Sequence, residues 1–207
     1  SGEMIYPDRQ MILFSRQVLE SNPGASVVFD VKCSQLLSDE ISRLKGNPLI
    51  CKTGHTFIKQ KIRETSAHLG GEMSGHIFFN DRWPGFDDGI YAGARMLEII
   101  ANSDDKNVFE SVPNLVSTPE INIKATDDRK FQIVDQFIKH SNFENANMID
   151  IDGIRVEFKK GWGLLRASNT SPFLVLRFEA ETEEELAKIK EIFYLNLKEI
   201  EPDTDRF

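Results

Sequence analysis

Two short stretches gather groups able to read a polyol and an anion. In Gly71-Glu72-Met73-Ser74-Gly75-His76, glycines flank an acid, a hydroxyl and an imidazole. Glu72 accepts hydrogen bonds and Ser74 both donates and accepts, a pairing that suits a polyol such as a sugar. Glycine permits a tight turn and close approach of a ligand to the backbone. A solvated turn is the competing reading. The second stretch, Arg166-Ala167-Ser168-Asn169-Thr170-Ser171-Pro172, holds one fixed cation, three hydroxyls and an amide. That inventory suits a phosphate, with Arg166 offering a planar fork and the hydroxyls filling other oxygens. A polar hairpin with an ordinary arginine competes with it.

Lys32 and His55 each follow a short apolar run that reads as a strand, and ligands gather at the carboxyl ends of strands in open α/β sheets. Each also fits a solvated loop. With Glu72, Ser74 and His76 they would share one edge of one sheet. Asp87-Asp88 reads as a helix cap and a first-turn acid, with Asp87 as the cap. His68 and His140 fall in helical stretches and receive no role.

The elements that must position these groups follow from periodicity. Helices are expected from Pro7 to Leu19, after Ser34 (with Gly46 beyond its end), from Thr56 to Leu69, and after Asp87 with Ile90, Met96, Leu97 and Ile100 apolar. Strands are expected at Ser26–Val31, Pro48–Cys51 and Ile77–Phe79. The alternation argues an α/β unit with a sheet covered on both faces. Residues 103–119, rich in charge, Pro and Asn, read as a linker. The second unit is α+β. A helix opens at Asp127 or Asp128 with Phe131, Val134, Phe137 and Ile138 apolar. Strand-like runs follow, and Asp152-Gly153 reads as a two-residue hairpin turn. Thr182 to Glu185 is a capping box opening the last helix.

Composition narrows the function. The 207 residues carry a formal charge of −8 and 40% hydrophobic residues. No basic block suggests nucleic acid or an anionic membrane as a partner, and no apolar run approaches the ~20 residues of a membrane span. Without a signal-like start, Cys33 and Cys51 read as reduced thiols, so a cytoplasmic location is expected.

Four motifs occur in order: Lys52-Thr53-Gly54-His55, Gly71 to His76, Gly85-Phe86-Asp87-Asp88-Gly89, and Arg166 to Thr170. Jointly they resemble the α-D-phosphohexomutases of the bacterial phosphomannomutase/phosphoglucomutase type, over nearly the whole chain. The resemblance implies that residues 1–115 are the third of that family's four domains, an α/β mixed sheet covered by helices, with 1–8 the tail of the second. Residues 116–207 would be the fourth, a small α+β domain likened in fold alone to the TATA-box-binding protein. It implies that Glu72 and Ser74 hold sugar hydroxyls, that Lys32, His55 and His76 line the cleft nearby, and that Arg166, Ser168, Asn169 and Thr170 grip the phosphate not being transferred. Met73 matches the hexose form, since glucosamine-phosphate mutases typically carry Gln there.

The family interconverts hexose 6-phosphate and hexose 1-phosphate through a phosphoserine and a hexose 1,6-bisphosphate intermediate, with Mg2+. The 207 residues contain neither the serine-nucleophile motif nor the Asp-Gly-Asp-Gly-Asp metal loop. The expectation is therefore a C-terminal, substrate-recognising half. Its partners would be hexose phosphates and the N-terminal domains 1 and 2 of the same protein. No catalytic nucleophile or metal ligand is expected in this chain, which alone is expected to be inactive. The alternative is a stand-alone, non-catalytic sugar-phosphate-binding protein.

Overall fold

The computed structural model describes residues 2, 4–104 and 108–207. The chain divides into two compact units, Ser1–Asn114 and Leu115–Phe207.

In the first unit Pro7 opens helix α1 (Pro7–Ser21), where its fixed φ suits the first turn. Met11, Phe14 and Val18 are buried on one face of it. Strand β1 (Ser26–Asp30) is a β-branched and aromatic run buried on both sides. Ser34 then caps α2 (Gln35–Arg43) by accepting from the Leu36 N–H. Strand β2 (Asn47–Cys51), helix α3 (His55–Thr65), strands β3 (Leu69–Gly71) and β4 (Ile77–Phe79) and helix α4 (Gly89–Asn102) follow. The sheet runs β2-β1-β3-β4, with β1 parallel to β2 and β3, and β4 antiparallel to β3. Val27, Phe29, Leu69 and Phe79 join the core with α1 and α2, while Val28 and Phe78 join Ile58 and Ile62 of α3 on the opposite face. The expected mixed sheet covered on both faces is what forms.

Several local expectations need correction. The helix expected to reach Leu69 ends at Thr65, where Ser66 turns left-handed at φ 53°. Residues 69–71 are a central strand, because Gly70-Gly71 serves packing and does not stop a helix. A Cβ on Gly70 would lie 2.6 Å from Ile62, and one on Gly71 would collide with Met11. The two glycines let α3 and α1 close on opposite faces of β3. Beyond α2 the left-handed residue is Lys45 at φ 61°, whereas Gly46 is needed because a Cβ there would meet Leu19 at 2.7 Å. The cap of α4 is Asp88, which accepts from the Tyr91 N–H at 2.9 Å. Ile90, Leu97 and Ile100 face outward, and Tyr91, Met96 and Ile99 pack inward. Arg95 also turns inward, bonded to Gln17 and Asp81 and stacked 4.4 Å from the Phe79 ring.

The stretch read as a linker is structured where it is described. Val108–Ser111 forms a 3-10 turn, Val112 is buried in the first unit's core, and β5 (Val116–Ser117) belongs to the second unit's sheet.

The second unit places β6 (Ile121–Lys124), β7 (Asn147–Ile149), β8 (Ile154–Phe158), β9 (Gly161–Ala167) and β10 (Phe173–Ala180) with helices α5 (Asp127–His140) and α6 (Glu183–Ile200). The sheet order is β5-β10-β9-β8-β7, with β6 also paired to β10. Leu165, Leu174, Leu176 and Phe178 share a core with Phe137, Ile189, Phe193 and Leu197 of the helices, an α+β layer as expected. Thr126 caps α5, and Phe131 faces out. Thr182 caps α6 by accepting from Glu185 N–H. The hairpin at Asp152-Gly153 is wider than two residues, since Ile149 pairs with Arg155 across it. The two-residue connection is Lys159-Lys160, between the paired Phe158 and Gly161. No helix of the described residues is long and apolar enough to cross a membrane.

The exchanged roles of Lys45 and Gly46 are testable by denaturant unfolding. Gly46→Ala should lower stability by about 1–3 kcal/mol through overpacking against Leu19. Lys45→Gly should raise it by about 0.5 kcal/mol by relieving the left-handed backbone.

Candidate functional site

The carboxyl ends of β1, β2 and β3 lie on one edge of the first sheet because those strands are parallel. Lys32 follows β1, His55 begins α3 just after β2, and Glu72 follows β3. His76 precedes β4, which returns antiparallel from the same edge. The structure therefore brings Lys32, His55, Glu72, Ser74 and His76 to one edge.

A residue given no role from sequence organises that edge. Asp30, fully buried at the end of β1, accepts from the Met73 N–H at 3.2 Å and from the Thr53 hydroxyl at 3.1 Å. Cys33 Sγ lies 3.1 Å from Oδ1, the oxygen that also accepts from Met73, and Lys32 Nζ lies 3.9 Å from Oδ2. One carboxylate thus ties the three loops that follow β1, β2 and β3. Its signal in the sequence was an acid ending an otherwise apolar strand.

Glu72 is 2% exposed. Its Oε2 accepts from the Gly54 N–H at 2.8 Å, and Gly54 stands at φ 135°, a backbone open to glycine. Its Oε1 is buried with no hydrogen-bond partner among the described residues. Burial raises the Glu72 carboxyl above its ordinary range, the Gly54 N–H partly opposes this, and the charge of Asp30 adds to the rise. The loop closes on itself through Glu72 N–H to the His76 carbonyl and Gly75 N–H to the Glu72 carbonyl, each 2.9 Å, leaving Ser74 exposed at the tip. The His55 and His76 rings stand 5.7 Å apart. His76 Nδ1 lies 2.5 Å from Asp87 Oδ2, so the acid expected to cap α4 engages the imidazole instead. His68 sits in the bend before β3, outside any helix.

In the second unit Arg166, next to last in β9, is 5% exposed, and its Nε and Nη2 reach the two carboxylate oxygens of Asp152 at 3.0 and 3.3 Å. Gly153, at φ 72°, makes this possible, because a Cβ there would collide with the Leu165 carbonyl and Arg166. Two of the five guanidinium N–H donors are so committed, which fixes the plane and leaves the others to a further acceptor. Ser168 Oγ accepts from the Ser171 N–H at 3.2 Å and the Thr170 N–H at 3.4 Å, curling the loop, while Asn169 and Thr170 are exposed. Lys130 of α5, 3% exposed, donates to the Ser171 carbonyl at 3.0 Å and pairs with Asp127. Asp152 and Lys130 carried no functional signal in the sequence, since a turn acid and a helical lysine are ordinary residues. Among the described residues no three His, Cys, Asp or Glu side chains converge as metal ligands.

Both units match known proteins. A family model for phosphoglucomutase/phosphomannomutase, alpha/beta/alpha domain III, matches residues 6–118, and one for the C-terminal domain matches residues 120–195. A phosphomannomutase/phosphoglucomutase of Pseudomonas syringae is 53% identical over 209 residues, covering 99% of this chain and 44% of that protein. A phosphoglucomutase of Neisseria meningitidis is 51% identical over 195 residues, covering 93% of this chain and 42% of its own length. The crystal structure of a phosphoglucomutase/phosphomannomutase family protein from Burkholderia thailandensis superposes with a TM-score of 0.93 at 46% identity, over 100% of this chain and 44% of the other. The chain spans less than half the length of these relatives.

Two substitutions test the edge. Asp30→Ala should cost about 2–4 kcal/mol, since buried donors lose their acceptor, and should speed hydrogen exchange at the Met73 amide about tenfold. For Glu72 the unfolded carboxyl ionises near 4.5 and the folded one at higher pH. Between those values the unfolded state binds fewer protons, so stability falls as pH rises. Glu72→Gln, which keeps an acceptor for Gly54, should therefore melt a few degrees higher than wild type at pH 7 and converge with it near pH 4. A lower melting temperature at pH 7 would contradict the buried, half-satisfied carboxylate.

Proposed function

We infer the function from one premise: the chain belongs to the phosphoglucomutase/phosphomannomutase family, whose domain III and C-terminal domain it carries. On that premise we propose that it supplies the substrate-reading part of a mutase that interconverts hexose 6-phosphate and hexose 1-phosphate. The observation that carries the proposal is Glu72, a buried carboxylate with one oxygen held by Gly54 and the other without a partner among the described residues. Such an oxygen is costly to bury. A sugar hydroxyl donating to it would repair that cost, and the exposed Ser74 two residues on would contact a second hydroxyl.

The Arg166 loop would take the phosphate that does not react. Arg166, aligned by Asp152, offers charge-assisted donors, and Ser168, Asn169 and Thr170 surround them with hydroxyl and amide groups. Each charge-assisted bond is worth about 1.5–3 kcal/mol. A phosphate held by charge-assisted donors and a hydroxyl held by a buried acid are two kinds of contact that would fix a hexose phosphate for reaction, where positioning supplies much of the catalysis. Lys32 and His55 would stand beside that reacting end, with His76 there to exchange a proton with the hexose hydroxyl. In the whole protein the hydroxyl oxygen would bond to the phosphorus of a phosphoserine as the serine–phosphorus bond breaks. The resulting hexose 1,6-bisphosphate would return its other phosphate. The chain's own part would be recognition. The N-terminal domains of the same protein would supply the nucleophile and the metal loop, and this chain alone would show no turnover.

Calorimetric titration with glucose 1-phosphate and mannose 1-phosphate tests this reading. Arg166→Ala should weaken binding at least about tenfold, the loss of one charge-assisted bond. Hydroxyl donors favour ionised Glu72, so affinity should rise as pH climbs from 4.5 through the raised value of this carboxyl and then level off. Affinity unchanged by Arg166→Ala and flat in pH would overturn the reading.

A further inference from the structure

Asp87 and Asp88 are adjacent acids with separate tasks. Asp88 caps α4 through the Tyr91 N–H. Asp87 is therefore released from capping, and its backbone is pinned by an isolated antiparallel bridge to Phe78 of β4. The turn leading to it is closed by the Gly85 N–H donating to the Phe79 carbonyl at 2.9 Å, with Gly85 at φ 72°. His76, at the other end of the same strand, is pinned by its carbonyl to the Glu72 N–H. Two fixed backbones thus present a carboxylate and an imidazole to each other, 2.5 Å apart at Oδ2 and Nδ1.

We propose that Asp87 is a positioning residue that sets the tautomer of His76. An ionised carboxylate only accepts, so the shared proton belongs to Nδ1. In the neutral imidazole Nε2 then carries the lone pair. The ring is held at Nδ1 and exchanges protons only at Nε2, the arrangement that an acid–imidazole pair uses wherever the imidazole must take a proton from a hydroxyl. His55, whose ring centroid lies 5.7 Å from that of His76, has no carboxylate contact of this kind among the described side-chain bonds, so the two imidazoles are not equivalent. The assignment rests on the hexose-phosphate reading for its purpose and on the Asp87 geometry for its existence. It makes Asp87 matter without any contact to ligand.

The test is long-range proton–nitrogen NMR of the chain labelled with 15N-histidine, at a pH where the imidazoles are neutral. His76 should show a protonated Nδ1 and a bare Nε2. In Asp87→Asn, whose amide can present either its oxygen or its NH2 group to the ring, His76 should become a mixture of tautomers or reverse. Asp88→Asn, which still caps the helix, should leave His76 as in wild type, and Asp87→Glu should restore most of the Nδ1–H form. A wild-type His76 with the proton on Nε2, or an unchanged tautomer in Asp87→Asn, overturns the proposal. Glucose 1-phosphate separates this from the functional reading. A shift of the His76 Nε2 signal on its addition supports proton exchange with a bound hexose. The predicted tautomer with an Nε2 that ignores the ligand overturns the hexose assignment and keeps the Asp87–His76 pair.

Discussion

The first unit depends on the burial of one carboxylate. Asp30 closes an apolar strand at full burial, and its two oxygens gather a backbone N–H, a hydroxyl, a thiol and a lysine from the segments around it. A buried carboxylate without donors would be far too costly to keep. The loops after β1, β2 and β3 are therefore drawn to it, and this is why they meet at one sheet edge in a set relation. Glu72 repeats the device with one difference. Gly54 satisfies one of its oxygens and nothing among the described residues satisfies the other. The edge is a structural carboxylate beside an unfinished one, and the unfinished one is where the proposed sugar hydroxyl would contribute.

The second unit solves the opposite electrostatic problem. Arg166 is nearly buried, and Asp152 neutralises it while orienting its fork. The pairing costs some attraction for an anion and supplies a fixed donor plane. Gly153 permits it, Lys130 anchors the far side of the loop at the Ser171 carbonyl, and Ser168 curls the loop from within. On the proposed reading an acidic protein would hold a phosphate here through local geometry, whatever its net charge.

Element types were legible where one signal dominated. The capped helices at Ser34 and Thr182, the apolar strand read at 26–31 and found at 26–30, and the α/β-then-α+β order could all be read from periodicity and caps. The candidate residues could be read because polar groups clustered between strands. What could not be read turned on single-residue alternatives. Gly70-Gly71 resembles a helix stop in sequence, yet it is thinned side-chain volume between two packed helices. Asp87 and Asp88 are equal candidates for one cap, and only the backbone phase of α4 chooses Asp88 and hands Asp87 to His76. Partners such as Asp30, Asp152 and Lys130 are set by tertiary approach, across up to 43 residues for Asp30 to Met73, which no local pattern encodes.

The central claim is that the half-satisfied Glu72 carboxylate is the proposed contact for a hexose hydroxyl. Amide NMR of the chain during titration with glucose 1-phosphate tests it most directly. The backbone amides of 72–76 should shift along a saturable curve in the wild type and stay in place in Glu72→Ala. Amides of 72–76 that do not move in the wild type, or that move equally in Glu72→Ala, would contradict it.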